Sequence, residues 1–297
     1  MASAIETSGL TRHYRNCEAV QALDLAIPPG SAFAFLGRNG AGKTTTIKML
    51  AGLIRPSAGH SRLLGHDSAK LGPGQWREIG YVSENQDLYD WMTCEELVRF
   101  TAALYPRWDS SFERSLADTL DLNTSRRVGR CSRGERMKLA LLLAIAFRPR
   151  LLILDEPFTG LDPLVKEEIL GSLIEITAQN EWTIFFSTHD IDEVEKLADH
   201  VGIIEEGRLQ VSESMQTLQD RFRRVEVHGP TSAEPLPDAL AIEHGPNQLR
   251  FILTRFSGNE ESVRVQFAPA RVEISPMSLK EIFLTLAKEY QREKRRR

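Results

Sequence analysis

The chain has 297 residues, of which 41% are hydrophobic, and a net charge of −4, so it is long enough for more than one minimal domain and short for three. The composition is ordinary for a globular protein, and the acidic balance argues against a surface built for nucleic acid. Cys17, Cys94 and Cys131 form no CxxC or metal-spaced set and read as reduced thiols of a cytosolic protein. The opening MASAIETSGLTRHY lacks the apolar core of a leader, and the runs LALLLAIAF and LLILDEP are charge-flanked and fall short of the roughly 18–20 residues of a membrane span. If the protein works at a membrane, a partner must supply the span.

Along the chain, VQALDLAI, the turn PPG and SAFAFLG read as strands around a turn. A glycine-rich loop follows, and then TTTIKMLAGLI, with helical spacing at Ile47, Leu50, Ala51 and Ile54. IGYVSEN reads as a short strand ending in polar residues. From about Leu88 to Phe147 the pattern is mostly helical, and Thr93 with Glu96 has the spacing of a capping box. CSRGERMKLA, from Cys131, is either an ordinary helix start or a site for an anion. LLILDEP and EWTIFFSTHD are apolar runs that end in acidic or polar residues, and VGIIEEGRL reads as a further strand and hairpin. Apolar strands separated by helices predict an α/β core with a largely parallel sheet covered on both faces. Near residues 218–224 the character changes. VEV, LRFIL and SVRVQF alternate with period two and are expected as strands. SPMSLKEIFLTLAKEY is expected to close as an amphipathic helix, with Leu279, Ile282, Phe283 and Leu286 on one face and Ser278 and Glu281 as a capping box. REKRRR reads as a solvated, frayed basic tail, with a weak hold on anionic lipid as the other reading.

The loop GRNGAGKT fits GxxxxGK[ST] at every fixed position. Gly37, Arg38, Asn39, Gly40, Ala41 and Gly42 are expected to turn backbone amides toward a phosphate. Lys43 adds a mobile cation for the outer phosphates, and the Thr44 hydroxyl takes a Mg²⁺ position, with Thr45 beside it. LLILDEP delivers Asp155 to the C-terminal edge of the sheet to hold Mg²⁺ through a water, and Glu156 next to it to polarise the attacking water. His189 ends a third strand on the same edge, where an imidazole can contact the outer phosphate or orient that water.

With these motifs on the page, the first 215 or so residues resemble the ATP-binding subunit of an ABC transporter. GRNGAGKTT is similar to the Walker A loop, LLILDEP to Walker B, TGLD to the D-loop and THD to the switch-histidine segment. The resemblance implies a P-loop NTPase core with an antiparallel N-terminal β subdomain, an inserted helical subdomain at about 85–148, and a small C-terminal α+β appendage. The expected domains are 1–217 and 218–297. Tyr14 stands where the family places an aromatic that stacks on adenine. CSRGE resembles the family signature, most often LSGGQ. By that likeness Ser132, Arg133 and Gly134 reach the ATP of a second subunit, and Glu135 is read as facing solvent. Glu84 stands where the family has a glutamine that touches Mg²⁺, with Gln86 as the alternative register. Arg133 and Glu84 both resemble variants of the export-type branch.

The resulting expectation is a cytoplasmic ATPase that binds ATP and Mg²⁺ and pairs with a second nucleotide-binding subunit, alike or different. It would sit on the inner face of the cell membrane through an integral permease, with the helical segment after Glu84 as the coupling surface. No nucleic acid is expected. The rivals are a soluble ATPase of the same type acting on nucleic acid or the ribosome, and a regulatory nucleotide-binding module without turnover.

Overall fold

The computed structural model describes residues 3–15, 17–85, 87–178, 182–229 and 233–296. These residues form two compact units that divide between Ser212 and Glu213.

The first unit opens with β1 (Ile5–Tyr14) and β2 (Cys17–Ile27), paired antiparallel. In β2, Leu23, Leu25 and Ile27 are buried while Asp24 and Ala26 are exposed, the alternation of a sheet with one dry face. The chain then leaves this sheet through β3 (Ala32–Leu36) and α1 (Lys43–Leu50), and returns to it with β4 (Ala58–Leu63) and β5 (His66–Asp67), giving the antiparallel order β2-β1-β4-β5. Helix α1 is shorter than its apolar spacing predicts. Ala51 is its C-cap and Gly52 turns to φ 66, so Ile54 packs on the core from outside the helix.

After the short α2 (Pro73–Trp76), β6 (Ile79–Val82) enters the central sheet. Three helices follow, α3 (Cys94–Ala102), α4 (Ser110–Thr119) and α5 (Arg133–Ile145). The box at α3 forms as expected. Glu96 N donates to Thr93 Oγ1 at 3.1 Å, and Thr93 N donates to Glu96 Oε2 at 2.8 Å. Helix α5 is apolar nearly all round and correspondingly buried, from Met137 to Ile145.

The sheet is completed by β7 (Leu151–Asp155), then α6 (Pro163–Ala178), β8 (Thr183–Thr188), α7 (Ile191–Leu197), β9 (His200–Glu205) and β10 (Arg208–Ser214). Its order is β10-β9-β3-β8-β7-β6, with parallel pairing from β9 through β6. Every residue of β7 and β8 is buried. Phe33, Phe35 and Phe185 stack through its centre with centroids 5.5–5.8 Å apart. Each such ring contributes about 1.5–3 kcal/mol of burial, so the strands that carry the polar edge residues are held rigidly. The arrangement is an α/β fold with a mostly parallel sheet, as expected.

The second unit begins with α8 (Met215–Arg221), a helix that a boundary at 217–218 would cut. Its sheet contains β11 (Arg223–His228), β12 (Ala239–Gly245), β13 (Gln248–Leu253) and β14 (Arg271–Pro276) in the antiparallel order β12-β13-β11-β14. The strand expected over SVRVQF is corrected, because these residues lie in α9 (Glu260–Gln266) and its C-cap. Val263 and Phe267 are buried, as either period allows, but Val265 between them is 65% exposed, which only the helical period explains. Asn259 caps the helix by accepting from Ser262 N, and Glu260, Glu261 and Arg264 suit its two ends. The last helix, α10 (Leu279–Arg296), buries Leu279, Ile282 and Phe283 and carries the expected Ser278–Glu281 box. It also runs on through the basic residues to Arg296, which corrects the frayed tail. Among the described residues no helix is long and apolar enough to cross a membrane.

Candidate functional site

The loop between β3 and α1 is built from backbone geometry. Gly37 N donates to Thr188 O at 3.1 Å, and Ala41 N to Arg38 O at 3.1 Å. Gly42, the N-cap of α1, has φ 106, and a Cβ there would lie 2.4 Å from Ala19 O. No other residue fits. Lys43 opens the helix and is 5% exposed. Its Nζ donates to Gly37 O (2.7 Å) and Arg38 O (3.1 Å) and pairs with Glu156 Oε1 at 2.9 Å. The expectation of a mobile cation is corrected. An ammonium has three N–H donors, and here all three have partners.

Asp155, at the end of β7, is 1% exposed. Its Oδ1 accepts from Thr44 Oγ1 at 3.1 Å and from Ser187 Oγ at 2.8 Å. Burial pushes its pKa above the usual carboxylate range. The two hydroxyls oppose that shift, and the charges of Glu84 and Glu156 add to it. Thr44 and Asp155 thus place hard oxygen donors side by side in a buried region with surplus negative charge, which fits Mg²⁺. Among the described residues no three His, Cys, Asp or Glu side chains gather as a metal cage.

Glu156 is 8% exposed and sits in the left-handed region at φ 48, which costs about 1–3 kcal/mol and needs the surroundings to hold it. Ser187 Oγ accepts its backbone N–H at 2.9 Å. Besides Lys43, its carboxylate accepts from Thr159 Oγ1 at 2.8 Å, and His189 Nδ1 stands 2.9 Å from Oε2. Burial works to raise its pKa, but Lys43, Thr159 and His189 outweigh burial and hold it below the ordinary glutamate value. Two neighbouring carboxyls are therefore driven apart, Asp155 up and Glu156 down. The segment after His189 is fixed by Asp190, which accepts from Asp192 N at 3.0 Å and pairs with Lys166, itself 2.7 Å from Glu193.

Lys43, Thr44 and Glu156 border a cleft of ≈ 690 Å³, within the usual range for a small-molecule site, while Asp155 and His189 are not among the residues that line it. Asn39, Gly40, Gly42, Lys43, Thr44, Thr45, Glu84 and Glu156 line it. So do Cys17, Glu18, Ala19 and Gln21 of β2, with Thr159 and Glu206, none of which the sequence reading assigned to the site. Gln21 Nε2 donates to Glu206 O at 3.2 Å, and Gly207 N to Ala41 O at 2.8 Å, which ties the β9–β10 turn to the loop. Tyr14 is outside the lining but faces Cys17 across β1–β2. It is 42% exposed, with the Arg12 guanidinium 4.7 Å from its ring centre. Gln86 lies outside the described residues.

Ser132, Arg133 and Gly134 are not on the cleft walls. They form the start of α5, where Ser132 Oγ accepts from Glu135 N at 3.2 Å and Glu135 Oε2 accepts from Ser132 N at 2.8 Å. Glu135 also pairs with Arg126 at 2.5 Å. It completes a capping box and is only partly exposed, which corrects the reading of it as facing solvent. The box takes up the amide of Glu135, whereas those of Arg133 and Gly134 have no partner within the helix. Gly134 is buried where a Cβ would meet Val165 Cγ1 at 2.5 Å, so glycine lets α5 approach α6. Arg133 lies over the backbone of Gly160 in TGLD.

The family model for ABC transporters matches residues 20–159. The chain is 35% identical over 226 residues to the bacitracin transport ATP-binding protein BcrA of Bacillus licheniformis, spanning 75% of this chain and 74% of that one. It is 34% identical over 251 residues to the daunorubicin/doxorubicin resistance ATP-binding protein DrrA of Streptomyces peucetius, spanning 82% and 76%. A solved ATP-binding subunit of an ABC transporter superposes with a TM-score of 0.65 at 29% identity, over 73% of this chain and 92% of that one. With its phosphate loop, its paired acids and relatives at this level of identity, the chain belongs to the ABC transporter family as an ATP-binding, ATP-hydrolysing subunit.

Proposed function

We propose that this chain is the motor of an export-type transporter, and that its site residues divide the work as follows. The loop amides and Lys43 bind the phosphates of ATP. Lys43 already has three partners, so a phosphate oxygen reaches it in exchange for one of them. The Glu156 carboxylate is the exchangeable one, because the two carbonyls belong to the loop itself. Thr44 and Asp155 hold Mg²⁺, with Glu84 as a further oxygen donor. When bound, the ion neutralises charge on the phosphate oxygens. Glu156, kept ionised, orients the attacking water and takes its proton. His189 steadies Glu156 through Nδ1, and its ring is 45% exposed. Tyr14 receives the adenine. Ser132, Arg133 and Gly134 serve the ATP of a second such subunit, alike or different. The observation that carries this reading is the engagement of one buried carboxylate, Glu156, by Lys43, Thr159 and His189 at once.

On this reading the first unit, residues 1–212, is the ATP-binding domain, with the helical part at about 85–148, and the second, residues 213–297, is an accessory domain. A groove of ≈ 340 Å³ walled by Trp76, Tyr81, Leu88, Tyr105, Leu143 and Phe147 supports a permease seat on the helical part. Tyr89, Trp91 and Phe100 form an exposed aromatic cluster in the same region, with centroids 5.9–6.1 Å apart. The subunit would then lie on the inner face of the cell membrane through that permease. The names of the relatives, bacitracin transport and daunorubicin/doxorubicin resistance, support export. Purification from membranes tests the reading. An integral membrane protein should accompany the chain, and the complex should release phosphate from MgATP. A chain found only with ribosomes or nucleic acid overturns it.

A further inference from the structure

Cys94 and Cys131 are separated by 37 positions, yet their sulfurs lie 3.7 Å apart. Both are free thiols. Cys94 is the first residue of α3 and fully buried. Cys131 is partly exposed, donates to Arg127 O at 3.4 Å and immediately precedes Ser132, the N-cap of α5. The backbones on either side are pinned together. Cys94 N donates to Arg126 O (2.9 Å), Glu95 N to Thr124 O (2.8 Å), Val128 N to Met92 O (2.9 Å) and Gly129 N to Asp90 O (3.0 Å). The thiols are thus held in register by bonds that do not involve sulfur. A small apolar residue would fill either position, so packing alone does not account for the pair.

We propose that Cys94 and Cys131 are a redox-modification site, closing to a reversible disulfide under peroxide and thereby slowing ATP hydrolysis. The slowing rests on the role proposed above for Ser132, Arg133 and Gly134; the crosslink itself does not.

Peroxide reaches the partly exposed Cys131 first. Its thiolate attacks one oxygen of H₂O₂, the O–O bond breaks, and the departing hydroxide takes up a proton as water, leaving Cys131 as a sulfenic acid. Cys94 then gives up its proton and attacks the Cys131 sulfur. The S–O bond breaks, a second water leaves and the S–S bond forms. In total two thiols and one H₂O₂ give one disulfide and two waters, with the sulfur pair losing two electrons and the peroxide gaining them. Burial, and after it the bond and charge of Cys131, push the Cys94 thiol up to about 12. Cys94 is therefore the resolving thiol and Cys131 the attacking one. A dithiol reductant reverses the reaction by exchange.

The consequence for the signature is geometric. A disulfide is about 2.0 Å long, so the sulfurs must close by about 1.7 Å from their 3.7 Å contact. Cys94 is fixed in the core and its helix is locked by the Thr93–Glu96 box. The shift therefore falls on Cys131, and through it on Ser132 and the helix start. Displacements near 1 Å in positioning groups cost about 10²-fold in rate.

The test uses the full chain freed of reductant, treated with H₂O₂ and then alkylated and digested. Mass spectrometry should find Cys94 joined to Cys131, phosphate release should fall at least about five-fold, and dithiothreitol should restore it. Cys94→Ala, assayed in reductant, should keep ATPase within about two-fold of the parent. After peroxide it should show no link and keep at least half its activity. Cys94→Ser provides the same comparison if the first variant does not fold. A folded parent protein that forms no Cys94–Cys131 link overturns the site. A link that leaves phosphate release unchanged, or equal inactivation of the variants, overturns the regulation. A reduced parent without ATPase overturns the functional reading and the regulation with it, while the mass spectrum still decides the crosslink.

Discussion

Replacing Glu156 by Gln separates the chemistry of the site from its architecture. The glutamine Oε1 still accepts from Lys43. Its amide nitrogen faces Thr159 Oγ1 and His189 Nδ1, both of which are able to accept. The buried side chain therefore stays satisfied, while the negative charge and the base are gone. Loss of a general base costs about 10²–10⁴-fold in turnover, which at 1.36 kcal/mol per decade raises the barrier by about 2.7–5.4 kcal/mol. The structural cost is smaller. Breaking a buried pair costs about 3–5 kcal/mol when the survivor is stranded. Lys43 keeps Gly37 O and Arg38 O, so the loss stays below that range. Because the carboxyl of Glu156 is held below its ordinary value of 4.5, its contribution to stability is complete above that pH and is lost as pH falls through the lowered value. The stability difference between parent and E156Q is thus constant from neutral pH down to about 4.5 and shrinks below it. Phosphate release, equilibrium binding of ATP and thermal unfolding at several pH values measure the three effects. We expect ATP affinity within a few-fold of the parent, near-complete loss of release, and accumulation of a closed dimer. Turnover within a few-fold of the parent would refute the assignment of the base.

Asp155→Asn should lower Mg²⁺-dependent turnover by about 10–100-fold, as expected for an outer-shell ligand, yet raise the unfolding temperature at pH 7. The folded pKa of Asp155 lies above 3.8, so its charged form is a burden at neutral pH, and the gap between variant and parent should close as pH falls through the raised value toward 3.8. Glu84→Ala should reduce hydrolysis more than Gln86→Ala, since Glu84 lines the cleft and its charge reaches Asp155; the opposite ranking in paired ATPase assays shifts the register by two residues. In a homodimer, mixing inactive Lys43→Ala and Ser132→Arg proteins under subunit exchange should restore at most about a quarter of parental activity. A mixture without turnover and without any ATP-competent site ends the idea that the signature acts on the partner's nucleotide.

The parts of this protein legible in sequence are those whose geometry is settled within a few residues. GRNGAGKT is readable because a loop with φ 106 at Gly42 admits only glycine there. The Thr93–Glu96 and Ser278–Glu281 boxes are readable because a cap and its third residue meet through one helical turn. LLILDEP is readable because a strand buried on both faces must be apolar until it reaches the ligand edge. Where a local pattern fits two periods, as in SVRVQF, the exposure of Val265 in the folded unit was needed to choose the helix. The rest depends on contacts between residues far apart in the chain. Parallel register along β7, β8 and β3 brings Thr44 to Asp155 across 111 positions and His189 to Glu156 across 33. The same closure turns Lys43 from a flexible cation into a fully engaged one, lines the cleft with Cys17, Glu18 and Glu206, and seats Cys94 against Cys131. The motifs announce that Thr44, Asp155, Glu156 and His189 share one edge, but nothing in the spacing announces the engagement of Lys43, the other cleft walls or the meeting of the two thiols, because side-chain chemistry is local while the register of a sheet is a property of the whole packed core.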